Sequence, residues 1–150
     1  GKRLQKVVDS ERFTMFKDFA HSPSKLKATT AAIKQQYPSR KVVACMELHT
    51  FSSLNKEFLP FYKDAMMAAD LALVYFNPEV VAHKKLAALS NEDVFNGFGR
   101  NVIVFDNSTN FIRYIYSQDW NNSVLLLMSS GNFDGIDYKL LGDELIEKLG

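Results

Sequence analysis

The sequence is poor in the residues that support the common kinds of catalytic or metal site. It contains a single cysteine, Cys45, which excludes an internal disulfide framework and a cysteine-based zinc site. The histidines, His21, His49 and His83, are not spaced as metal ligands, so we predict no metal site. A formal net charge of +1 provides no electrostatic footprint for nucleic acid or for an anionic membrane, and we expect neither partner.

Long apolar runs and export signals are also missing. The longest clean apolar run covers residues 124–128, far short of the ~18 residues that a membrane span requires. The first residues, GKRLQ, include no initiator Met and no apolar signal region, and we interpret this start as a cut within a longer protein. Cys45 lies in an apolar run and is expected to be a buried small side chain, which fits a reducing cytoplasm.

The apolar segments that are present indicate an α/β protein. Strand-like runs lie at 4–8, 13–17, 42–46, 71–76, 102–105 and 123–128, and helix-like segments at about 23–37, 55–69, 91–98, 108–117 and 138–149. Strands that are apolar on both sides and alternate with helices are typical of a parallel sheet covered on both faces, whereas the first two runs flank a polar turn and predict an antiparallel hairpin. We therefore predict one Rossmann-like three-layer domain over residues 1–150. Its six-stranded sheet is expected to be mostly parallel, with one antiparallel edge strand and helices on both faces.

Polar residues follow almost every predicted strand. Because the carboxyl ends of parallel strands share one edge of the sheet, where α/β proteins bind ligands, this edge is the predicted binding site. Each residue alone can instead serve as a helix cap or turn residue, but their clustering favours a ligand site. The residues concerned are Asp18, His21 and Ser22; Glu47, His49, Thr50, Ser52 and Ser53; Asn77; Asp106, Asn107 and Ser108; and Ser129, Ser130, Gly131 and Asn132.

Complete catalytic motifs are missing from the chain. There is no P-loop of the form GxxxxGK[ST] and no GxSxG nucleophile elbow. Gly97 and Gly99 are too close together for a dinucleotide fingerprint and are expected to end a helix. A ligand-binding edge without a phosphate cradle or nucleophile predicts that another domain supplies the rest of the active site.

Three motifs, in order along the chain, resemble the C-terminal domain of the Mur ligase superfamily. The segment DFAHSP (residues 18–23) is similar to the family pattern D-[DGYF]-x-[AG]-H-x-P between a strand and a helix. The segment MELHTFSSL (46–54) lies where these ligases carry a substrate-facing loop, and LLLMSSGNFDGI (125–136) resembles their late strand, Gly-Asn loop and helix. The last motif is most similar to members that use the tripeptide L-alanyl-γ-D-glutamyl-meso-diaminopimelate, since members that use L-alanine tend to have Gly-Ala-Gly-Asn there.

The resemblance implies one domain of a three-domain ATP-dependent ligase of peptidoglycan metabolism. In such an enzyme, ATP phosphorylates the carboxylate of UDP-N-acetylmuramate, and an amine substrate attacks the acyl phosphate to form an amide. ATP and Mg²⁺ would be bound mainly by a central domain that this chain does not include. The implied partners are therefore the UDP-sugar, a peptide and other domains of the same protein, and the isolated domain is expected to be inactive.

Site residues follow from the resemblance by position. Asp18, His21 and Ser22 correspond to the nucleotide side, and Gly131 is expected to allow a turn with positive φ and a close approach of ligand to backbone. Phe133 is expected to be either a substrate contact or a core anchor. The substrate-side residues are His49, Thr50, Ser52, Ser130, Gly131, Asn132 and Phe133.

One departure leaves the amine substrate open. Many family members place an Arg in the loop after the second main strand, where this chain has Leu48-His49-Thr50. His49, Lys56, Arg113 or Arg100 are the cations that could replace it, although none but an Arg offers a guanidinium fork. The C-terminal domain of an L-alanine-adding ligase is therefore an alternative. A stand-alone doubly wound binding or signalling module is an alternative of another class, although the acidic pair of a phosphoacceptor is missing.

Overall fold

The computed structural model describes residues 4–149 and contains a six-stranded sheet with helices on both faces, which confirms the predicted fold class. The strands are β1 (Gln5–Asp9), β2 (Phe13–Asp18), β3 (Lys41–Leu48), β4 (Leu71–Phe76), β5 (Ile103–Phe105) and β6 (Ser123–Met128). The helices are α1 (Pro23–Gln36), α2 (Pro78–His83), α3 (Asn91–Gly97), α4 (Ser108–Ser117) and α5 (Tyr138–Lys148), with a 3₁₀-helix at Leu59–Tyr62.

The strand order, β1-β2-β6-β3-β4-β5, brings the late strand β6 between the early strands β2 and β3. The β1–β2 pair is antiparallel, as predicted, and every other neighbouring pair is parallel. Met128 pairs with Asp18 on one side and with Met46 on the other. The carboxyl ends of β2, β6 and β3 therefore lie side by side, which is the kind of position where α/β sheets bind ligands.

Two apolar cores, one on each face of the sheet, hold the layers together. In β3, Val42, Ala44 and Met46 point into one core, whereas Val43 and Cys45 point into the other, as the two-residue period of a strand requires. The first core includes residues of α1, α2, α3 and the 3₁₀-helix, and the second includes residues of α4 and α5. Burial also raises the pKa of the Cys45 thiol, so the structure gives this residue a packing role.

The predicted helix over residues 55–69 is wrong. The segment consists of successive turns around the 3₁₀-helix Leu59–Tyr62, and Asp64 has a φ of 59°, which a helix cannot accommodate. The apolar residues recur at helical spacing because Phe58, Tyr62 and their neighbours pack inward, with Tyr62 stacked on Phe98 at 4.9 Å between ring centroids. Pro60 further limits regular helix in this segment.

Helix ends follow the expected chemistry elsewhere, with one helix missed. Ser22 caps α1 by accepting a hydrogen bond from Lys25 N at 3.4 Å, and α3 ends at Gly97, followed by Gly99 with a φ of 92°. The short helix α2 was not predicted, although Asn77 as its cap and Pro78 as its first residue are the usual signals. Within residues 4–149, no helix is long and apolar enough to cross a membrane.

Replacing Gly97 with Ala is expected to destabilise the domain. A Cβ there would lie 2.7 Å from Leu59 Cβ and 3.0 Å from the Leu59 carbonyl carbon, so backbone must move. Such overpacking costs about 1–3 kcal/mol, more than the roughly 1 kcal/mol that Ala gains over Gly in a helix. Urea denaturation of the 150-residue chain measures the change. Glu92→Ala, an exposed change in the same helix, is the control; equal stability of the two variants would contradict the close packing.

Candidate functional site

The candidate site is built on the adjacent carboxyl ends of β2, β6 and β3, which we name the crevice edge and define by Asp18, Ser129 and Glu47. Ser129 N donates a hydrogen bond of 3.0 Å to the Asp18 carbonyl oxygen, which joins the β2 end to the β6 end. The Ser129 hydroxyl donates to Glu47 Oε1 at 2.5 Å, which joins the β6 end to the β3 end. The three loops that the sequence singled out therefore begin from one continuous, hydrogen-bonded edge.

The turn after β2 holds Asp18 and His21 through backbone contacts. Asp18 Oδ2 accepts hydrogen bonds from Ala20 N at 3.1 Å and from the Thr29 hydroxyl at 3.4 Å. His21 Nδ1 lies 2.9 Å from the Phe19 carbonyl oxygen. Because a carbonyl only accepts, Nδ1 carries the proton, which leaves Nε2 as an acceptor when the ring is neutral.

A pocket of about 290 Å³ opens beside this turn, between β2 and the start of α1. Asp18, His21, Lys25 and Thr29 are among its lining residues. The Tyr62 hydroxyl supports the turn from below by donating to the His21 carbonyl oxygen at 2.5 Å, and burial raises the pKa of Tyr62 to about 12, so it remains a donor at neutral pH. The predicted nucleotide-side residues thus lie together, with Ser22 as the helix cap next to them.

Glu47 is the central residue that the sequence analysis left without a role. Its side chain is 2 % exposed, and its Oε1 also accepts a hydrogen bond from Phe133 N at 2.8 Å. Burial raises the pKa of Glu47, although the Ser129 and Phe133 donors oppose that shift. The available signal was a carboxylate inside an otherwise apolar strand, because such a group is rarely buried without partners.

The loop after β6 is clamped onto Glu47 and contains a left-handed turn. Phe133, Asp134 and Gly135 have φ values of 54°, 59° and 100°, and the Asn132 carbonyl oxygen accepts hydrogen bonds from Gly135 N and Ile136 N. Successive left-handed residues are unusual, especially at an aromatic residue, and they persist only where the surroundings fix them. Besides the hydrogen bond from Phe133 N to Glu47, Asp134 holds this loop in place by accepting hydrogen bonds from the Tyr75 hydroxyl and from Asn77 Nδ2.

The structure corrects one expectation for this loop, the positive φ of Gly131, and decides between the two alternatives for Phe133. Positive φ falls on residues 133–135 rather than on Gly131, whose role is close approach. A Cβ on Gly131 would lie 3.0 Å from His49 Cδ2 and 3.2 Å from Glu47 Oε1. Phe133 is buried and stacks on Phe111 at 5.3 Å between ring centroids, so its side chain is a core anchor and only its backbone reaches the edge.

The loop after β3 places one of its three predicted residues against the buried carboxylate. The His49 side chain is 42 % exposed, and its Nδ1 lies 4.0 Å from Glu47 Oε2. The Thr50 hydroxyl donates to the Ser53 hydroxyl at 2.9 Å, so it stabilises its own turn. Ser52 is exposed in that turn. In the facing loop after β6, Ser130 is half-buried and Asn132 is exposed. His49 and Gly131 are therefore the predicted residues that meet directly across the two loops.

The other cations considered in place of the missing Arg lie elsewhere. Lys56 Nζ pairs with Asp93 Oδ2 at 3.4 Å, and Arg113 is exposed on α4. Arg100 precedes β5 and therefore belongs to the opposite edge of the sheet, where it contacts Asn96 and Glu92. The suggestion that Arg100 replaces the missing Arg is wrong.

A second depression borders the crevice edge, between α4 and α5. Its volume is about 360 Å³, and it begins at the 133–137 segment of the loop after β6. Apolar side chains such as Ile112 and Leu140 line it, and Asp134, Asp137 and Glu144 give it an acidic rim. Its chemistry therefore suits a ligand that is partly apolar and carries a positive charge.

Replacing Glu47 with Gln is expected to remove one source of pH dependence from stability. In the unfolded chain Glu47 titrates near the ordinary value of about 4.3, but in the folded chain its pKa is raised. The folded state therefore binds more protons in this window, and stability falls as pH rises through it. Gln retains a side-chain oxygen that can accept from Ser129 and Phe133.

Denaturation of the 150-residue chain at pH values from about 4 to 8 tests this expectation. The Glu47→Gln variant should lose less stability than the parent chain as the pH rises. Glu11→Gln, at the exposed turn between β1 and β2, should follow the parent. Parallel curves for parent and Glu47→Gln would show that Glu47 titrates normally in the folded domain.

Comparisons with known proteins agree on the family. A family model described as Mur ligase, glutamate ligase domain, matches residues 2–131. The UDP-N-acetylmuramate–L-alanine ligase of Lactobacillus delbrueckii subsp. bulgaricus is 29% identical over 150 residues, which are 99% of this chain and 32% of that protein. This chain thus spans about a third of the length of the curated relative.

Solved structures show the same fold. A murein peptide ligase from Psychrobacter arcticus aligns with a TM-score of 0.67 at 19% identity, covering 99% of this chain and 29% of that one. A UDP-N-acetylmuramate–alanine ligase from Thermotoga maritima aligns with a TM-score of 0.60 at 15% identity, covering 91% of this chain and 26% of that one. Because the family model matches residues 2–131, which is most of this chain, the chain belongs to the Mur ligase family and forms a C-terminal domain of that family.

Proposed function

We propose that this chain is the C-terminal domain of an ATP-dependent ligase that joins UDP-N-acetylmuramate to L-alanyl-γ-D-glutamyl-meso-diaminopimelate through an acyl phosphate. Asp18, His21 and Ser22 serve the nucleotide side, and the loops that carry His49 and Gly131 serve the amine substrate. The 150 residues are one part of a longer protein, whose central domain supplies the phosphate cradle.

The observation that carries this proposal is the adjacency of the two sides. Asp18 and Glu47 flank Ser129 on neighbouring strands, so their strand ends are about 10 Å apart at the spacing of a sheet. A ligase of this kind must bring a nucleotide, an acyl phosphate and an amine within reach of each other. A domain that presents both sides from one edge can do so when it closes over the central domain, and closure also protects the acyl phosphate from water.

The residues of this chain fit part of the nucleotide. The pocket beside Asp18 and His21 offers an acceptor carboxylate and an imidazole to ribose hydroxyls or the base, and Lys25 offers a positive charge at its mouth. Within residues 4–149 no group of three His, Cys, Asp or Glu side chains converges on a metal position. The family resemblance assigns Mg²⁺ mainly to the central domain.

The second depression, the acidic groove between α4 and α5, favours the tripeptide over L-alanine. An extended tripeptide spans about 10 Å, so a peptide whose amine lies at the crevice edge extends beyond that edge. The far end of this peptide, meso-diaminopimelate, has one free amino group that suits the rim of Asp134, Asp137 and Glu144, whereas its two carboxylates must lie away from that rim. L-Alanine has no group that would reach this groove.

L-Alanine remains a second candidate for the amine substrate. It is favoured by the curated relative from Lactobacillus delbrueckii subsp. bulgaricus, an L-alanine ligase that is 29% identical over nearly the whole chain. The loop after β6 argues against L-alanine, because residues 129–132 are Ser-Ser-Gly-Asn in place of the Gly-Ala-Gly-Asn expected for L-alanine ligases. The two candidate substrates differ in length, and an experiment that varies the length of the substrate can distinguish them.

A substrate series tests the choice in the full-length protein. With ATP and UDP-N-acetylmuramate, we expect kcat/KM to fall from the tripeptide to L-alanyl-γ-D-glutamate and again to L-alanine, by roughly ten-fold or more at each step. Product formation is followed by mass spectrometry and ADP release. A preference for L-alanine would establish the second candidate, and no ligation with any amine would contradict the proposed function.

The nucleotide side is tested with His21→Ala in the same full-length protein. Because His21 lines the pocket next to Asp18, its loss should raise KM for ATP or lower kcat by about ten-fold or more, with a small change in thermal stability. His83→Ala, an exposed histidine in α2, is the matched control and should leave turnover unchanged. An inactive His21→Ala protein that is also largely unfolded would assign His21 a structural role instead.

A further inference from the structure

Glu47 has one oxygen that the fold uses and one that it leaves open. Oε1 accepts both the Ser129 hydroxyl and Phe133 N, whereas Oε2 faces His49 Nδ1 at 4.0 Å. The Glu47 side chain is 2 % exposed and yet, within residues 4–149, no fully buried side-chain oxygen is left without a hydrogen-bond partner. Because Oε2 has no such partner, it is not fully enclosed, and it lies where the β3 and β6 loops meet.

His49 is placed to continue from this oxygen toward a ligand. Its Nδ1 faces the carboxylate, and its Cδ2 lies against Gly131, where even a Cβ would approach to 3.0 Å. When an imidazole ring directs its Nδ1–H toward a carboxylate, the proton stays on Nδ1 and Nε2 keeps its lone pair. A histidine held in this way can act as a general base through Nε2. The 4.0 Å separation is longer than a hydrogen bond, as catalytic pairs often are before substrate is bound.

The charges around the pair define its electrostatics. Asp134 from the loop after β6, Tyr75 from β4 and Tyr138 from α5 all interact with Glu47, and Lys17 of β2 lies over the Tyr138 ring at 5.1 Å. A second carboxylate nearby opposes ionisation of Glu47, whereas a cation at Oε2 favours it. An approaching ammonium group would therefore be attracted to this corner of the crevice edge.

We propose that Glu47 and His49 form a carboxylate–imidazole pair that binds the ammonium group of the incoming substrate and accepts its proton. This inference rests on the proposed ligation. An ammonium has no lone pair, so it must give up one proton, to His49 Nε2, before its nitrogen can attack. The nitrogen then forms a bond to the acyl carbon, the bond from that carbon to the phosphate oxygen breaks, and the phosphate leaves with the electron pair. The second nitrogen proton leaves with the phosphate or to solvent, which gives the neutral amide.

Glu47 acts in this pair as a positioning residue, since it is fixed by Ser129 and Phe133 and orients the imidazole. His49 is the group that touches the amine. A side chain at position 131 would crowd this pair, because its Cβ would lie 3.0 Å from His49 Cδ2 and 3.2 Å from Glu47 Oε1.

The test replaces the amine with one that needs no base. In the full-length protein, His49→Gln and Glu47→Gln are assayed with ATP and UDP-N-acetylmuramate, first with the tripeptide and then with hydroxylamine, which is largely unprotonated at neutral pH. We expect ligation of the tripeptide to fall about 100-fold or more, the usual contribution of general-base catalysis. Hydroxamate formation should change by less than about three-fold, because the acyl phosphate still forms. His83→Gln and Glu11→Gln are the matched controls, since both residues are exposed: His83 lies in α2, and Glu11 lies in the turn that precedes β2, at the opposite end of that strand from Asp18.

The pH dependence provides a second readout. In the parent protein, kcat/KM for the tripeptide should rise with pH. In His49→Gln the amine can lose its proton only to solvent, so the loss relative to the parent should be largest at low pH and should shrink as the pH rises and free amine becomes abundant. Equal losses with tripeptide and hydroxylamine would make the two residues structural and overturn the inference, as would variants that ligate the tripeptide normally. If the parent protein yields neither amide nor hydroxamate, the proposed function itself fails. Should Glu47→Gln fail to fold, the partly exposed His49 still decides the outcome through its own variant.

Discussion

The hydrogen bonds that Glu47 Oε1 accepts from Ser129 and Phe133 determine the shape of the candidate site. Glu47 is the last but one residue of β3, and the two donors belong to the loop that follows β6. Without the Ser129 hydroxyl and Phe133 N the carboxylate would be buried with no compensation, which proteins avoid because desolvation of a charge is so unfavourable. The loop and the carboxylate therefore stabilise each other, and neither geometry is expected to persist alone.

Local strain in the loop after β6 is explained by the same contacts. Phe133 and Asp134, the two residues of this turn that have positive φ and are not glycine, carry a cost of about 1–3 kcal/mol each. Opposing it are the stacking of Phe133 on Phe111, the backbone bond to Glu47 and the bond from Tyr75 to Asp134. The strained turn also has a geometric effect, since it directs Phe133 into the core while Gly131 and Asn132 stay at the crevice edge.

Sequence patterns predicted the sheet well because strands buried on both sides leave a clear signal, as in Val42–Met46 and Leu125–Met128. They failed over residues 55–69, where inward packing of Phe58 and Tyr62 produces a helical period without a helix. Glu47 was placed at the predicted ligand-binding edge but given no specific role, because its partners Ser129 and Phe133 belong to a loop 82 or more positions later. Gly131 was assigned a positive φ for a similar reason: only the folded loops reveal that His49, 82 positions earlier (131 − 49), occupies the space where its Cβ would be.

Ser129 connects the two sides of the crevice edge through a single residue. Its backbone N donates to the Asp18 carbonyl oxygen of the proposed nucleotide side, and its hydroxyl donates to Glu47 of the proposed amine side. Both bonds leave from one residue at the end of a fully buried strand, so the two sides cannot shift independently without breaking one of them. For a reaction in which the acyl phosphate must be made before the amine attacks, such a rigid edge has a physical advantage. In the proposed ligase, closure of the domain would position both groups at once, so that the entropy of positioning them is lost in folding rather than during the reaction.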